Sequence, residues 1–179
     1  PEQQQRAGGQ AVLRANLARA RAEQAIAAGS LQMAQVELED ALLAQPRDAW
    51  LRLELARLYQ RMGRPDQATQ VIDDLRAQEP ATTEALHVQA LWAQERGQWA
   101  QAQALIERIP VSERDTRIDG LAARAWVEVQ AAQARALMQR QRAGEAQLLL
   151  ARAEAALGER GKDPEVVGAL AAAYADIGS

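Results

Sequence analysis

The chain has 179 residues, 48% of them hydrophobic and 25% charged, which supplies enough apolar mass for a folded core and too much for a disordered tail. Its net charge of −3 is evenly spread, with ten Arg against twelve acidic residues over 1–90 and eleven basic against twelve over 91–179, so there is no basic stripe to hold nucleic acid. Cysteine is absent, which excludes disulfides and thiolate metal sites, and no run approaches the ~20 apolar residues of a membrane helix.

Aromatics make up only 3%, Phe is missing, and Ala, Leu, Gln and Arg dominate, a mixture that favours helices packed closely through small side chains. Gly29, Gly63 and Gly97 lie 34 residues apart, as do Ala34, Ala68 and Ala102, and as do Pro46 and Pro80. Glycine between two helical stretches, a small residue early in the second helix and a closing proline resemble the tetratricopeptide repeat. The expected fold is therefore all-α, a superhelical solenoid of such repeats, interrupted by an irregular long helix after the third.

In chain order, a first repeat begins near Ala15, with Ala22 and Ala25 on its first helix and Leu38 and Ala41 on its second. The second spans 48–80, with helices expected over 48–62 and 65–78. Leu51, Leu55, Leu58 and Tyr59 recur at helical spacing around the small Ala56, Gly63 makes the turn, and Ala68, Val71, Ile72 and Leu75 form the answering stripe. Pro65 suits the first turn of its helix, and Pro80 ends the unit. The third repeat places Ala90, Ala93, Gly97, Ala102, Ile106 and Ile109 in the equivalent positions.

The period then breaks. Proline comes early, at Pro110, and the next Glu-Ala pair that can open a second helix is Glu145-Ala146, 44 residues after Ala102 rather than 34. Ten inserted residues are read as lengthening one helix, over 113–142, with Ile118, Leu121, Ala125, Val129 and Leu137 on its buried side. A helix over 144–157 closes that pair, a Gly-rich turn follows over 158–161, and Asp163-Pro164 starts a last helix with Leu170, Ala171 and Tyr174. The organisation is thus three helix pairs over 1–110, the long helix over 111–143, and a closing helix with the start of a further repeat over 144–179. Residues 1–10 carry no secretory signal pattern and the chain stops one helix into a new repeat, so it reads as part of something longer. Tyr59 and Tyr174, each three residues after an alanine, are read as packing residues.

Catalysis finds few candidates. His87 is the sole histidine and the serines are Ser30, Ser112 and Ser179, so no nucleophile with a base and no set of zinc donors can be assembled. The acidic clusters Glu37, Glu39, Asp40 and Asp73, Asp74 sit on helix surfaces without a calcium-binding loop and read as solvated faces. No catalytic residue, cofactor site or metal site is expected.

Binding is the better reading. The concave face of such arrays is lined by the first helix of each repeat. Here that gives Asn16, Arg19 and Glu23, then Trp50, Leu53, Arg57, Gln60 and Arg61, then Glu84, His87, Leu91, Gln94 and Glu95, and finally Glu128, Arg135 and Gln139. A Lys and Asn clamp for a peptide carboxylate is not among them. Planar donors and acceptors with an occasional indole suit a sugar chain, and the same set also makes an ordinary solvated groove. Trp50 is the best placed tryptophan for the groove; Trp92 and Trp99 read as packing, and Trp126 as filling the gap where the stacking angle changes.

At the irregular junction, residues 105–110 end in Glu107-Arg108-Ile109-Pro110, followed by Ser112-Glu113-Arg114 and a long helix bearing Trp126. This resembles the periplasmic tetratricopeptide-repeat region of the C-protein family of bacterial cellulose synthase systems. The resemblance implies a periplasmic location and a scaffold between an inner-membrane synthase and an outer-membrane barrel. It implies partners among those secretion proteins, with β-glucan or peptidoglycan as further ligands. Two alternatives stay open: a groove that binds and guides the β-1,4-glucan directly, and a cytoplasmic peptide-binding repeat module.

Overall fold

The computed structural model describes residues 1–77 and 81–178; Pro80, expected to close the second repeat, lies outside them. Among the described residues every regular element is helical: α1 Glu2–Ala27, α2 Leu31–Ala44, α3 Ala49–Arg61, α4 Pro65–Arg76, α5 Thr83–Glu95, α6 Trp99–Glu107, α7 Thr116–Gln139, α8 Ala143–Leu157 and α9 Pro164–Asp176. Short 3-10 turns occupy Val111–Glu113 and Gly158–Lys162. The chain divides into two compact units, Pro1–Val88 and Gln89–Ser179, with the division inside α5.

In the first unit α1 packs on α2, α2 on α3, and α3 on α4. Alanine makes the α1–α2 contact close: Ala22 and Ala34 are 1% and 0% exposed. The second pair is filled by larger side chains, Leu51, Leu55, Leu58 and Tyr59 of α3 against Ile72 and Leu75 of α4, all buried as the spacing predicts. Helix α1 begins at Glu2, well before the Ala15 start that the repeat suggests: the run has no proline after Pro1 and its Gln, Ala and Arg are good helix formers, which carry the helix through the unfavourable Gly8-Gly9 pair.

The turns explain the glycine period. Gly63 has φ +72°, so the amide of Arg64 reaches back to the carbonyl of Tyr59 at 2.9 Å and that of Gly63 to Gln60 at 3.1 Å, closing α3 with a Schellman cap. The turns at Gly29 and Gly97 repeat this, through Ser30 to Ala25 and Gln98 to Ala93, both at 2.8 Å. The end of α7 does so too, with Arg142 bonded to Leu137 at 2.9 Å, but the left-handed residue there is Gln141, at φ +60°. Gln141 lies 44 residues after Gly97, so the ten-residue insertion falls wholly before this turn.

The long helix is shorter than expected, Thr116–Gln139 against 113–142, for identifiable reasons. Asp115 caps its start by accepting from the amide of Ile118 at 2.9 Å, after the 3-10 turn, and the Gln141 cap ends it. Helix α7 packs on α6, α8 and α9. It therefore buries two stripes, Ile118, Leu121 and Ala125 together with Ala123, Val127, Ala131 and Ala134, whereas Val129 and Leu137 are only half-buried. On α9, Ala169 and Ala173 take the core positions and Ala171 is exposed. Tyr174 is half-buried, packs against both clusters beneath α7, and donates its hydroxyl to Glu154 at 2.9 Å.

Candidate functional site

In the first unit, Arg19 of α1 and Trp50 of α3 are brought together with Pro46, Asp48 and Glu84 around one open cleft. Arg19 is already engaged there. Its Nε lies 3.1 Å from a Glu54 carboxylate oxygen and an amino nitrogen 3.9 Å from Asp48, so it ties α1 to α3. Burial pushes the Glu54 carboxyl above its ordinary value, against the lowering influence of Arg19. Trp50 is half-buried, and its ring meets His87 edge-on at 5.3 Å between centroids and 86° between planes.

His87, expected on the open face, is only 5% exposed, and Leu53 is 1% exposed. Leu53 lies on α3, which packs on both α2 and α4, and His87 lies edge-on to the Trp50 ring; a single-stripe helix reading anticipates neither. Asn16, Glu23, Arg57, Gln60 and Arg61 are exposed and do not line the Trp50 cleft. Glu84 is exposed and does.

In the second unit, Gln94 and Leu91 are half-buried and Glu95 is exposed near the end of α5. Arg135 bridges α7 to α9 through Asp176 at 3.0 Å and lines a shallow cleft with Trp99 and Glu128. There the Arg124 guanidinium covers the Trp99 ring at 5.2 Å and pairs with Glu128 at 3.1 Å. Gln139 is exposed at the end of α7. Trp92 is 6% exposed, and Trp126 packs half-buried on the Ala123, Val127 and Leu157 cluster.

Three arginines have placements that sequence reasoning does not reach. Arg52 is 7% exposed; its guanidinium donates to the Pro46 carbonyl from Nε at 3.0 Å and Nη2 at 2.8 Å, and to the Val71 carbonyl from Nη1 at 2.9 Å. It thereby fixes the α2–α3 loop beneath the Trp50 cleft to helix α4. Arg114 and Arg160, on opposite sides of α7 in sequence, both line a second cleft, together with Trp126. No periodicity marks these two, since both lie in irregular segments.

Among the described residues no three acidic or histidine side chains converge as metal ligands, and no helix is long and apolar enough to cross a membrane. Residues 25–91 match the tetratricopeptide repeat family. The chain is 52% identical over 174 residues to the cellulose synthase operon protein C of Xanthomonas axonopodis pv. citri (strain 306), covering 97% of this chain and 12% of that protein. It is 35% identical over 151 residues to the protein of the same name from Pseudomonas fluorescens (strain SBW25), covering 84% of this chain and 12% of that one. The chain thus spans about an eighth of the length of these relatives. No solved structure matches it significantly. Likeness along nearly the whole chain, together with the repeat match, means that the chain belongs to the cellulose synthase operon protein C family, as a tetratricopeptide-repeat segment.

Proposed function

We propose that this segment is a non-catalytic scaffold of a cellulose synthesis and export complex, working in the periplasm between the inner-membrane synthase and the outer-membrane pore. The observation that carries this is the 52% identity to a cellulose synthase operon protein on a chain built of repeated helix pairs. Such pairs present surface rather than an enclosed reaction site. Its partners in this reading are the inner-membrane synthase proteins and the outer-membrane barrel. The test is deletion of this segment from the full-length protein. Cellulose reaching the cell exterior should fall while synthase in isolated inner membranes keeps polymerising glucan, and fractionation should find the parent protein in the periplasmic or outer-membrane fraction. Unchanged export, or a cytoplasmic parent protein, would refute the reading.

A second reading, direct guidance of the β-1,4-glucan, is supported by Trp50, whose half-buried indole borders an open cleft with the exposed Glu84 at hand for hydroxyls. Amide NMR shifts at Trp50 with cellohexaose and none with maltohexaose would establish it. Shifts with both sugars or with neither would remove it.

A further inference from the structure

Between the end of α6, the middle of α7 and the end of α8, the second unit holds a cleft of ≈ 240 Å³. Its floor is aliphatic: Ile106, Ala123 and Leu157 are 2%, 2% and 3% exposed. Trp126 forms one wall, and the rim carries Arg114 and Arg160 against the single carboxylate of Glu107. Arg114 is anchored through its Nε, which donates to the Ile109 carbonyl at 3.0 Å. Among the described residues neither Arg114 nor Arg160 forms an ion pair with an acidic side chain, as is also true of Arg47, Arg61, Arg108, Arg140 and Arg152; what sets these two apart is that both line one cleft.

An apolar floor, an indole wall and a rim with two guanidiniums to the one carboxylate of Glu107 select a particular ligand. The volume lies below the roughly 300–1,000 Å³ of drug-sized sites, so it admits one residue-sized group rather than a length of polymer. A glucose ring laid with its C–H face on Trp126 would still bring ring-edge hydroxyls against Ile106, Ala123 and Leu157 and lose hydrogen bonds to water there, while a leucine-like side chain gains by leaving water. The surplus positive charge at the rim calls for an adjoining anion, and guanidiniums bind carboxylates with two parallel bonds.

We propose that this cleft docks one apolar residue of a partner protein that bears or adjoins a carboxylate. The site deepens the scaffold reading and rests on it for the partner being a protein. The test is an NMR titration of the chain with N-acetyl-Ala-Ala-Leu carrying a free carboxylate, with the same peptide amidated, and with cellotriose, following the Trp126 indole N–H. The free acid should shift Trp126 and the Ile106 and Leu157 methyls, and the amide should bind about tenfold more weakly, the loss of one charge-assisted contact. Arg160→Gln, at an exposed position, should weaken the acid by a similar factor without changing the melting temperature. Ala156→Leu, which fills the cleft and leaves its charges, should abolish binding. Equal binding of acid and amide, a response to cellotriose alone, or no shift with millimolar peptide would each overturn the proposal. Export in the deletion strain is read independently of this titration, so a null result here removes the cleft and leaves the scaffold standing.

Discussion

Replacing Arg52 with Met keeps the buried aliphatic stem and removes the guanidinium. Three hydrogen bonds then disappear, two to the Pro46 carbonyl and one to the Val71 carbonyl, along with the 3.6 Å approach to Asp74. Val71 lies within α4, where its carbonyl has a helical role, so the greater loss is at Pro46, in the loop between α2 and α3. Hydrogen bonds from a charged donor contribute about 1.5–3 kcal/mol each, but the three share one side chain, and Met recovers part of the loss through apolar packing; a net destabilisation of about 3 kcal/mol is expected. The companion Arg52→Lys keeps the charge without the planar fork and should lose about 2 kcal/mol, since an ammonium cannot serve both carbonyls in this geometry. Urea unfolding followed by circular dichroism measures both. A Met variant within about 0.5 kcal/mol of wild type, the range of an ordinary surface change, would refute the view that Arg52 holds the loop.

Gln141→Gly should stabilise the chain by about 0.5–1 kcal/mol, because glycine adopts the left-handed turn without steric cost and gives back only part of that in unfolded-state entropy; a lowered melting temperature would contradict it. Gly63→Val, the converse change at φ +72°, should lower the melting temperature, and an unchanged one would disprove the strained turn. Tyr59→Ala should cost ~3 kcal/mol, since the ring is 6% exposed in the first unit's core; an unchanged urea midpoint would refute that placement. The Tyr59 hydroxyl, donating to Glu39 at 2.6 Å, has its pKa pushed from 10.0 up to about 12 by burial first and by that bond second. The folded state therefore holds its proton longer than the unfolded chain, so this stability is complete below pH 10 and is lost as pH rises towards about 12; Tyr59→Phe should flatten that part of the stability profile.

The alkaline loss belongs to a residue whose burial the sequence already indicated, and the same holds for much of the fold. The 34-residue interval of Gly29, Gly63 and Gly97 can be read directly because each supplies the left-handed residue of one local cap, and local backbone geometry depends on residues a few positions apart. The apolar spacing of α3 and α4 is legible for the same reason. The break after Ile109 was legible too, from Ala102 and Ala146, but the turn it displaced was not, since Gln141 occupies it where the pattern calls for glycine.

What tertiary structure decided is which faces are covered and which distant side chains meet. Helix α7 touches three neighbours, so Ala123 and Val127 are buried although they lie off the stripe of Ile118, Leu121 and Ala125. His87 and Leu53 turn inward from positions expected on an open face. Arg52 joins a loop carbonyl to a helix carbonyl, and Arg114 and Arg160, 46 positions apart, line one cleft. Arginine in a sequence looks the same whether its guanidinium faces water, a carboxylate or a buried carbonyl. Periodicity reports the covering of one face by one partner; a second partner, or a bond between residues far apart in sequence, leaves no periodic trace.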